Sequence, residues 1–377
     1  MQSRKFLAPF LFLMAFGILV VPAIAEGSWE VTTVDDNIVY YPFESFVYDK
    51  NSTPHIAYRI NTTASIWHAW KSGGYWTKEK ISRSHGTFST SIALGPDGNP
   101  AISYGDGIYF GNLMYASKKE GSWTTTIVAR GSWADAGQFS SLAFDHKGVP
   151  HITYNDGQIL ASLYYATLNQ TTGNWEFSLV DDDEPYTGDA GYSSSLTFDT
   201  LNHPHIAYIS DDPWGLRYAT LPEGSSNWSV TKLDELSKRN YFSRTYTGAS
   251  LALDLRGFPH IAYFNQTTSD ASPALIWHMF WNGTAWNREL VTELNKRDLW
   301  TSLVIDAKNV PHISYCDPAN KALKYATRSA AGIWTSQTVV NGTLLREPAL
   351  ALDPTGRPGI VYYDLSNHTL NFAQWIR

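Results

Sequence analysis

The chain has 377 residues, of which 43% are apolar, 14% aromatic and 17% charged, and its formal net charge is −7. This acidic balance argues against a nucleic acid partner, which would favour a basic face. Length alone would suggest two ordinary domains, but a repeat that runs to the C-terminus overrides that estimate.

The first predicted element is a signal peptide at residues 1–25. Arg4 and Lys5 form a basic start, residues 6–21 are an apolar run, and Ala23 and Ala25 supply a small-residue cleavage site. We therefore expect a secreted, extracellular or cell-surface protein with no membrane span once the segment is removed. An uncleaved anchor is the alternative, because the apolar run approaches the ~20 residues that span a bilayer.

Two further features bear on export. Cys316 is the only cysteine, so an exported chain would have no internal disulfide and would depend on packing. Asn-x-Ser/Thr sequons exceed the number expected by chance and indicate a glycoprotein, if the source organism glycosylates. A set of turns rich in Asn and Thr is the alternative interpretation. The sequons begin at Asn51, Asn61, Asn169, Asn227, Asn265, Asn282, Asn341 and Asn367.

The rest of the chain repeats one pattern seven times at a spacing of 46–55 residues. Each copy contains Pro-x-Ile-x-Tyr, and nine residues before the proline a small residue opens a short alternating stretch. Such periods indicate a solenoid, a propeller or an array. The alternating stretch is a predicted strand A, and the proline begins strand B, where proline is tolerated. The prolines are Pro54, Pro100, Pro150, Pro204, Pro259, Pro311 and Pro358; the small residues are Ser45, Ser91, Ser141, Ser195, Ser250, Ser302 and Ala349.

The remaining strands of each repeat predict how the ring closes. Strand C carries a Leu-x-Tyr-Ala pattern, as at residues 113–116, and strand D begins at a tryptophan in six copies. No seventh such strand D follows Leu370, but a spare copy lies at residues 29–34. We therefore predict an all-β, seven-bladed β-propeller with four-stranded antiparallel blades, in which the N-terminal strand completes the last blade. Residues 26–377 would form this single domain.

Five repeats carry a histidine after the proline, and each of these also has an aspartate at the end of strand A. We interpret the pairs as buried Asp–His hydrogen bonds that hold the A–B turn. A metal site is disfavoured because strand B lies off the axis, where the blades fan apart. The pairs are Asp49–His55, Asp145–His151, Asp199–His205, Asp254–His260 and Asp306–His312.

The combined Asp-x-x-Gly-x-Pro-His-Ile-x-Tyr pattern resembles the repeat of secreted seven-bladed propellers of bacterial and archaeal cell surfaces. It is also distantly similar to the Asp-box repeats of sialidases, although the spacing Ser-x-Asp-x-Gly-x-x-Trp is missing here. The resemblance covers roughly residues 28–377 and implies the fold. It does not imply one activity, because such propellers serve many functions.

Function is expected in the loops that join strand D to the next strand A. The three longest precede blades three, four and five, at residues 129–140, 181–194 and 234–249. They should build a wall on one side of the central mouth, with aromatic side chains as platforms for a sugar. Packing of the loops is the alternative. The predicted ligand-binding residues, which include two from neighbouring loops, are Trp133, Tyr186, Tyr192, Trp214, Tyr241, Arg244, Tyr246 and Trp300.

No cofactor is expected. The acidic run at residues 181–184 offers oxygen ligands for Ca²⁺ but lacks a fixed ligand spacing. Arginines recur in the same loops and suit the carboxylate or sulfate groups of an anionic glycan, while ion pairing with the acidic loops is the plainer explanation.

The main hypothesis is therefore a non-catalytic, monomeric propeller that recognises a glycan or a surface protein. The alternatives are a polysaccharide lyase or sialidase-like glycoside hydrolase acting on an acidic glycan, and a structural cell-surface protein. The sequence leaves catalysis undecided, because common hydrolase and nucleotide-binding motifs are missing. His85, Tyr246 and Arg244 are candidate catalytic residues by chemical type only.

Overall fold

The fold comes from a computed structural model. The structure describes residues 27–36, 38, 44–60, 62–83, 89–107, 111–131, 136–157, 161–182, 190–211, 214–236, 248–266, 273–295, 300–342 and 344–376. The predicted signal peptide and large parts of the three long loops lie outside these ranges. Among the described residues, no helix is long and apolar enough to cross a membrane.

Seven four-stranded antiparallel sheets form a seven-bladed β-propeller, as predicted. The first strand, β1 (Ser28–Asp35), belongs to the last blade. Blade one contains β2 (Ser45–Tyr48), β3 (Pro54–Ile60), β4 (Ser65–Ser72) and β5 (Tyr75–Arg83), and blade two contains β6 (Thr90–Leu94), β7 (Pro100–Gly105), β8 (Leu113–Lys119) and β9 (Ser122–Ala129). Blade three contains β10 (Gln138–Phe144), β11 (Pro150–Asn155), β12 (Leu163–Leu168) and β13 (Trp175–Asp181), blade four contains β14 (Ala190–Phe198), β15 (Pro204–Asp211), β16 (Trp214–Thr220) and β17 (Ser229–Glu235), and blade five contains β18 (Ala249–Leu253), β19 (Pro259–Gln266), β20 (Ala274–Trp281) and β21 (Trp286–Leu294). Blade six contains β22 (Thr301–Ile305), β23 (Pro311–Asp317), β24 (Ala322–Arg328) and β25 (Trp334–Asn341), and blade seven contains β26 (Leu345–Leu352), β27 (Pro358–Asp364) and β28 (Thr369–Ile376).

The hydrophobic core lies between neighbouring blades, and the repeated motif supplies it. Every strand B begins at the predicted proline, and the isoleucine two residues later is completely buried in all seven blades. The seam between blades seven and one shows the pattern, with Ile56 and Tyr58 of one blade packed against Val361 and Phe372 of the other. Each blade is thus held mainly by its neighbours, as expected for a ring of repeats.

The N-terminal strand closes the ring as predicted. Strand β1 pairs antiparallel with β28, from Ser28 opposite Ile376 to Asp35 opposite Leu370. Trp29 also takes the place of the missing tryptophan of blade seven. At every seam one such tryptophan packs edge-on against an aromatic ring of the preceding blade, with ring centroids 5.0–5.5 Å apart. The pairs are Trp29–Tyr325, Trp76–Phe372, Trp123–His68, Trp175–Tyr115, Trp228–Tyr165, Trp286–Tyr218 and Trp334–His278.

The small residues of strand A, which are serine in six blades, also form hydrogen bonds between neighbouring blades. Strand A is the inner edge of each sheet, and an edge strand presents amides that its own sheet does not pair. At five seams the serine hydroxyl of one blade accepts a hydrogen bond from a backbone amide of the next, over 2.9–3.1 Å. We call these contacts the serine belt; they join Ser91 to Leu142, Ser141 to Leu196, Ser195 to Leu251, Ser250 to Leu303 and Ser302 to Leu350.

The structure brings four of the five predicted Asp–His pairs together, but at distances longer than an ordinary hydrogen bond. In four pairs the His Nε2 to Asp Oδ2 distance is 3.5–3.8 Å, and none of the five Nε2 atoms has a hydrogen-bond partner among the described residues. In the fifth pair, the Asp254 carboxylate instead accepts from Arg256. The aspartates hold the A–B turn by accepting from its backbone amides, as Asp49 does from Asn51 (2.8 Å) and Thr53 (2.7 Å).

The histidines point instead to strand C of their own blade. Each Nδ1 lies within hydrogen-bond distance of a ring nitrogen or phenol there: His55 meets His68 and His260 meets His278, while His151, His205 and His312 meet Tyr165, Tyr218 and Tyr325. In blades one and five the second histidine continues to a carboxylate, Glu79 or Glu289. These contacts occupy the Nδ1 atom of each of the five histidines.

Removing one hydroxyl of the serine belt should weaken the ring. In Ser195→Ala the amide of Leu251 loses its acceptor, and an unsatisfied buried donor costs about 1–3 kcal/mol. We expect a lower melting temperature for this variant, whereas Ser229→Ala, at an exposed site of β17, should match the parent protein. Equal melting temperatures for both variants would mean that the belt contributes nothing to stability.

The buried histidines predict a loss of stability in mild acid. Burial lowers the pKa of His68, His151 and His260 to about 4, against about 6.5 in an unfolded chain. Between these values the unfolded state binds more protons, so stability is present above pH ~6.5 and is lost as pH falls toward ~4. Thermal melts across this window should show the decline.

A histidine variant separates this effect from other acid-labile groups. His68→Tyr introduces the residue that four other blades carry at the equivalent position, so its melting temperature should fall less steeply with pH. His368→Asn, at an exposed turn, is the matched control and should keep the parental slope. Parallel slopes for all three proteins would contradict the assignment.

Candidate functional site

A cavity of about 250 Å³ lies on the axis, at the end of the ring where each chain segment enters strand A. All seven blades contribute to it. Its lining comes from the small residue of strand A and the two residues before it: Glu44 in blade one, Ser89 and Thr90 in two, Phe139 and Ser140 in three, Ser193–Ser195 in four, Ala249 and Ser250 in five, Trp300–Ser302 in six, and Glu347–Ala349 in seven. We call this cavity the mouth.

Three β-bulges shape the lining of the mouth. The strand register shifts at the start of β10, β14 and β26. At these points Phe139, Ser193 and Glu347 adopt φ values of 53°, 48° and 48°, which are uncommon for residues other than glycine. All three residues line the cavity. Backbone strain of this kind concentrates at functional sites, and here it places side chains of three blades around one opening.

The chemistry of the mouth combines hydroxyls, one aromatic platform and two carboxyls. Serine and threonine side chains of blades two to six supply donors and acceptors. Trp300 is half-buried, and the Arg346 guanidinium lies 5.9 Å from the centroid of its ring. This combination suits a ligand with many hydroxyls and a flat apolar face.

Glu44 and Glu347 stand at the seam between blades one and seven. Glu347 is 7% exposed, and both carboxylate oxygens of Glu44 are buried without a hydrogen bond from another described residue. Burial and the charge of Glu347 raise the pKa of Glu44 well above its usual range. The pair therefore still holds a proton at pH values at which an exposed glutamate is already ionised.

Sequence reasoning missed both glutamates, although the repeat contains the information. Aligned on the small residue of strand A, Glu44 occupies the place of Thr90, Ser140, Ser194 and Thr301. Glu347 occupies the place of Ser89 and Ser193. In the column of Glu44 the other blades carry a hydroxyl, alanine or proline, so this carboxylate departs from the pattern and could have been found by comparing repeats column by column. The column of Glu347 is mixed and also holds Phe139 and Trp300.

Three of the predicted ligand-binding residues lie in the described structure. Trp300 lines the mouth. Tyr192 packs edge-on against Phe139 and Trp214, with centroid distances of 5.4 and 5.9 Å, and Trp214 is only 9% exposed within a hydrophobic cluster. Tyr192 and Trp214 thus support the mouth from behind Phe139. Their binding roles stay predictions.

The other predicted site residues cannot be placed. Trp133, Tyr186, Tyr241, Arg244 and Tyr246 lie outside the described residues, as does the catalytic candidate His85.

Among the predicted glycosylation sites, Asn51, Asn227, Asn282, Asn341 and Asn367 are exposed. Asn169 and Asn265 are half-buried, and the Asn265 amide donates to Asp234 and to the backbone carbonyl of Glu235. Asn61 lies outside the described residues. Their use stays a prediction.

Part of the acidic run at residues 181–184, which was the candidate for Ca²⁺ binding, makes other contacts. Asp181 accepts from Arg217 Nη1 (2.8 Å) and Tyr208 Oη (2.5 Å), while residues 183 and 184 lie outside the described structure. Within the described ranges, no group of three or more His, Cys, Asp or Glu side chains is placed to hold a metal ion.

Comparisons with known proteins agree on the fold. No protein-family model and no curated protein matches the sequence. Among solved structures, the chain is similar to a PL25 ulvan lyase bound to GlcA(1-4)Rha3S, with 13% identity, a TM-score of 0.65 and coverage of 90% of this chain and 94% of that one. It is also similar to SapL1 lectin in complex with α-methyl fucoside (14% identity, TM-score 0.53, coverage 81% and 98%) and to a mutant of NanB sialidase from Streptococcus pneumoniae (10%, 0.50, 92% and 70%). At these identities the similarity establishes the propeller fold and leaves activity open.

Proposed function

We propose that the chain is an exported, non-catalytic propeller that binds a glycan in the mouth. The observation that carries this proposal is the composition of the lining, which combines hydroxyls from five blades with Trp300 and two carboxyls. Sugars are held by such sets, because an aromatic ring covers their apolar face while polar groups fix their hydroxyls. The propeller neighbours, a lyase, a lectin and a sialidase, support a carbohydrate ligand.

Export rests on the segment at residues 1–25 and on the sequons. If it holds, the protein should appear in the medium or on the cell surface with a mass that lacks residues 1–25. Glycosidase treatment would then test the exposed sequons by a shift in mass.

Substitution of the aromatic platform tests the binding proposal. Trp300→Ala should weaken glycan affinity by at least tenfold, which corresponds to about 1.4 kcal/mol, because the sugar loses its stacking surface. Titration calorimetry on a ligand found by glycan array would measure this. Tyr75→Ala, at an exposed turn 81% accessible to solvent, is the matched control and should bind like the parent. Equal affinity of all three proteins would remove the mouth as the binding site.

A second candidate is a glycoside hydrolase or lyase, and the pair Glu44–Glu347 favours it. Two carboxyls of which one retains its proton are the acid and base or nucleophile that glycosidases use. In this case incubation with acidic and neutral polysaccharides should release reducing ends or unsaturated products, and Glu44→Gln should abolish the release. We favour binding because the sequence lacks the common hydrolase motifs, so we expect no product from either protein. Product formation by the parent alone would overturn the non-catalytic proposal.

A further inference from the structure

Resting on the proposed function, we propose that the mouth binds a sugar through two adjacent free hydroxyls that hydrogen-bond to the carboxyl of Glu44, while Thr301 binds another hydroxyl of the same ligand. The class of ligand is therefore a glycan whose bound residue has an unsubstituted vicinal diol. A sugar that is methylated, acetylated or sulfated on either hydroxyl of this pair is excluded.

The polar side chains of the mouth fall into two groups, and the fold uses only one of them. In blades two, three and four, the side chain one residue before the serine belt forms a hydrogen bond with strand B of the preceding blade. These three side chains are therefore satisfied within the protein. The bonds join Thr90 to the Ala57 carbonyl (3.2 Å), Ser140 to the Ser103 hydroxyl (2.9 Å) and Ser194 to the Thr153 hydroxyl (2.9 Å).

Glu44 and Thr301 occupy the same position in blades one and six, but the blades before them offer no polar side chain. Blade seven has Val361 and blade five has Ala262 at the place on strand B where blades two and three have a serine and a threonine. Neither of these apolar side chains can form a hydrogen bond. The carboxyl of Glu44 and the hydroxyl of Thr301 thus have no counterpart of the contacts made in blades two to four.

Both groups are buried and face the same cavity. The two carboxylate oxygens of Glu44 are buried, and no other described residue donates to them. Thr301 is 8% exposed, and its Oγ1 likewise has no hydrogen-bond partner among the described residues. Both residues line the mouth. Buried polar groups are normally hydrogen-bonded, so two such groups in one cavity indicate the polar groups of a ligand.

A vicinal diol matches the carboxyl of Glu44 in number and placement of hydrogen bonds. A carboxyl presents two oxygens side by side, and adjacent hydroxyls of a sugar ring can reach both of them. An ionised carboxyl accepts from both hydroxyls, whereas a protonated one accepts from one and donates to the other. The match therefore holds in either protonation state of Glu44. A single hydroxyl would leave one of the two oxygens without a partner.

The test is an NMR titration of the full chain with the methyl glycosides of glucose, galactose, mannose and fucose, and then with the monodeoxy derivatives of each sugar that binds. We expect the loss of either hydroxyl of one adjacent pair to lower the affinity about tenfold or more. In Glu44→Leu these two derivatives should bind as the unmodified sugar does, because the partner of their missing hydroxyl is gone. Where only a longer glycan from an array binds, its own deoxy derivatives are used.

Two results of this titration count against different claims. A binding sugar whose deoxy derivatives all keep their affinity, or lose it equally in the parent and in Glu44→Leu, would overturn the diol proposal while leaving glycan binding intact. Failure of every glycan on a broad array to bind would instead overturn the proposed function itself.

Variants distinguish a binding role from a structural one. Glu44→Leu and Thr301→Val remove the unsatisfied polar atoms at similar side-chain size, so each should melt at the parental temperature or above it. The affinity for the glycan should nevertheless fall about tenfold in Glu44→Leu and about threefold in Thr301→Val. Glu30→Leu, the same substitution at an exposed site of β1, is the matched control and should bind like the parent. Parental affinity in either folded variant, or a lower melting temperature in both, would contradict the proposal.

Discussion

The innermost strand of each blade carries backbone amides that its own sheet cannot hydrogen-bond. In the closed ring, the neighbouring blade offers acceptors for such amides. At five seams the serine belt satisfies one of these amides from the preceding blade, so blades three to seven each depend on the blade before them. The edge-on tryptophans repeat the same dependence farther from the axis. In blade seven both ends of the chain are required, because β1 supplies Trp29 and the fourth strand.

This constraint also explains where specificity can reside. The belt position must be small, and six of seven blades use serine there. The two positions before it are free of that requirement, and the cavity lining is drawn from them. A rigid inner ring thus presents a set of variable side chains, three of them on bulged backbone, around one opening. Precise placement of polar groups on a rigid scaffold is what selective binding of a small sugar needs.

The sequence was sufficient to predict the fold, because the small residue, the Pro-x-Ile-x-Tyr motif and the tryptophan mark strands A, B and D of the repeats. The sequence was not sufficient to predict the hydrogen bonds of the aspartate and histidine side chains. The pattern of Asp and His predicts a hydrogen bond, whereas the His55 and Asp49 side chains lie 3.8 Å apart, Asp49 accepts from turn amides and His55 pairs with His68, because a repeat pattern does not fix rotamers. The site was only partly predicted: Trp300 was named, but Glu44 and Glu347 were not, because their meaning depends on facing the same axis from two ends of the chain.

The central claim is that ligand specificity is set at the mouth by the residues that precede the serine belt. Hydrogen exchange with mass spectrometry, with and without a saturating glycan found by glycan array, tests it most directly. The account predicts slower amide exchange at the starts of strands A, at residues 89–91, 139–141, 193–195, 300–302 and 347–349, with the outer strands β5, β13 and β21 unchanged. Protection confined to the outer strands or to the A–B turns would contradict it.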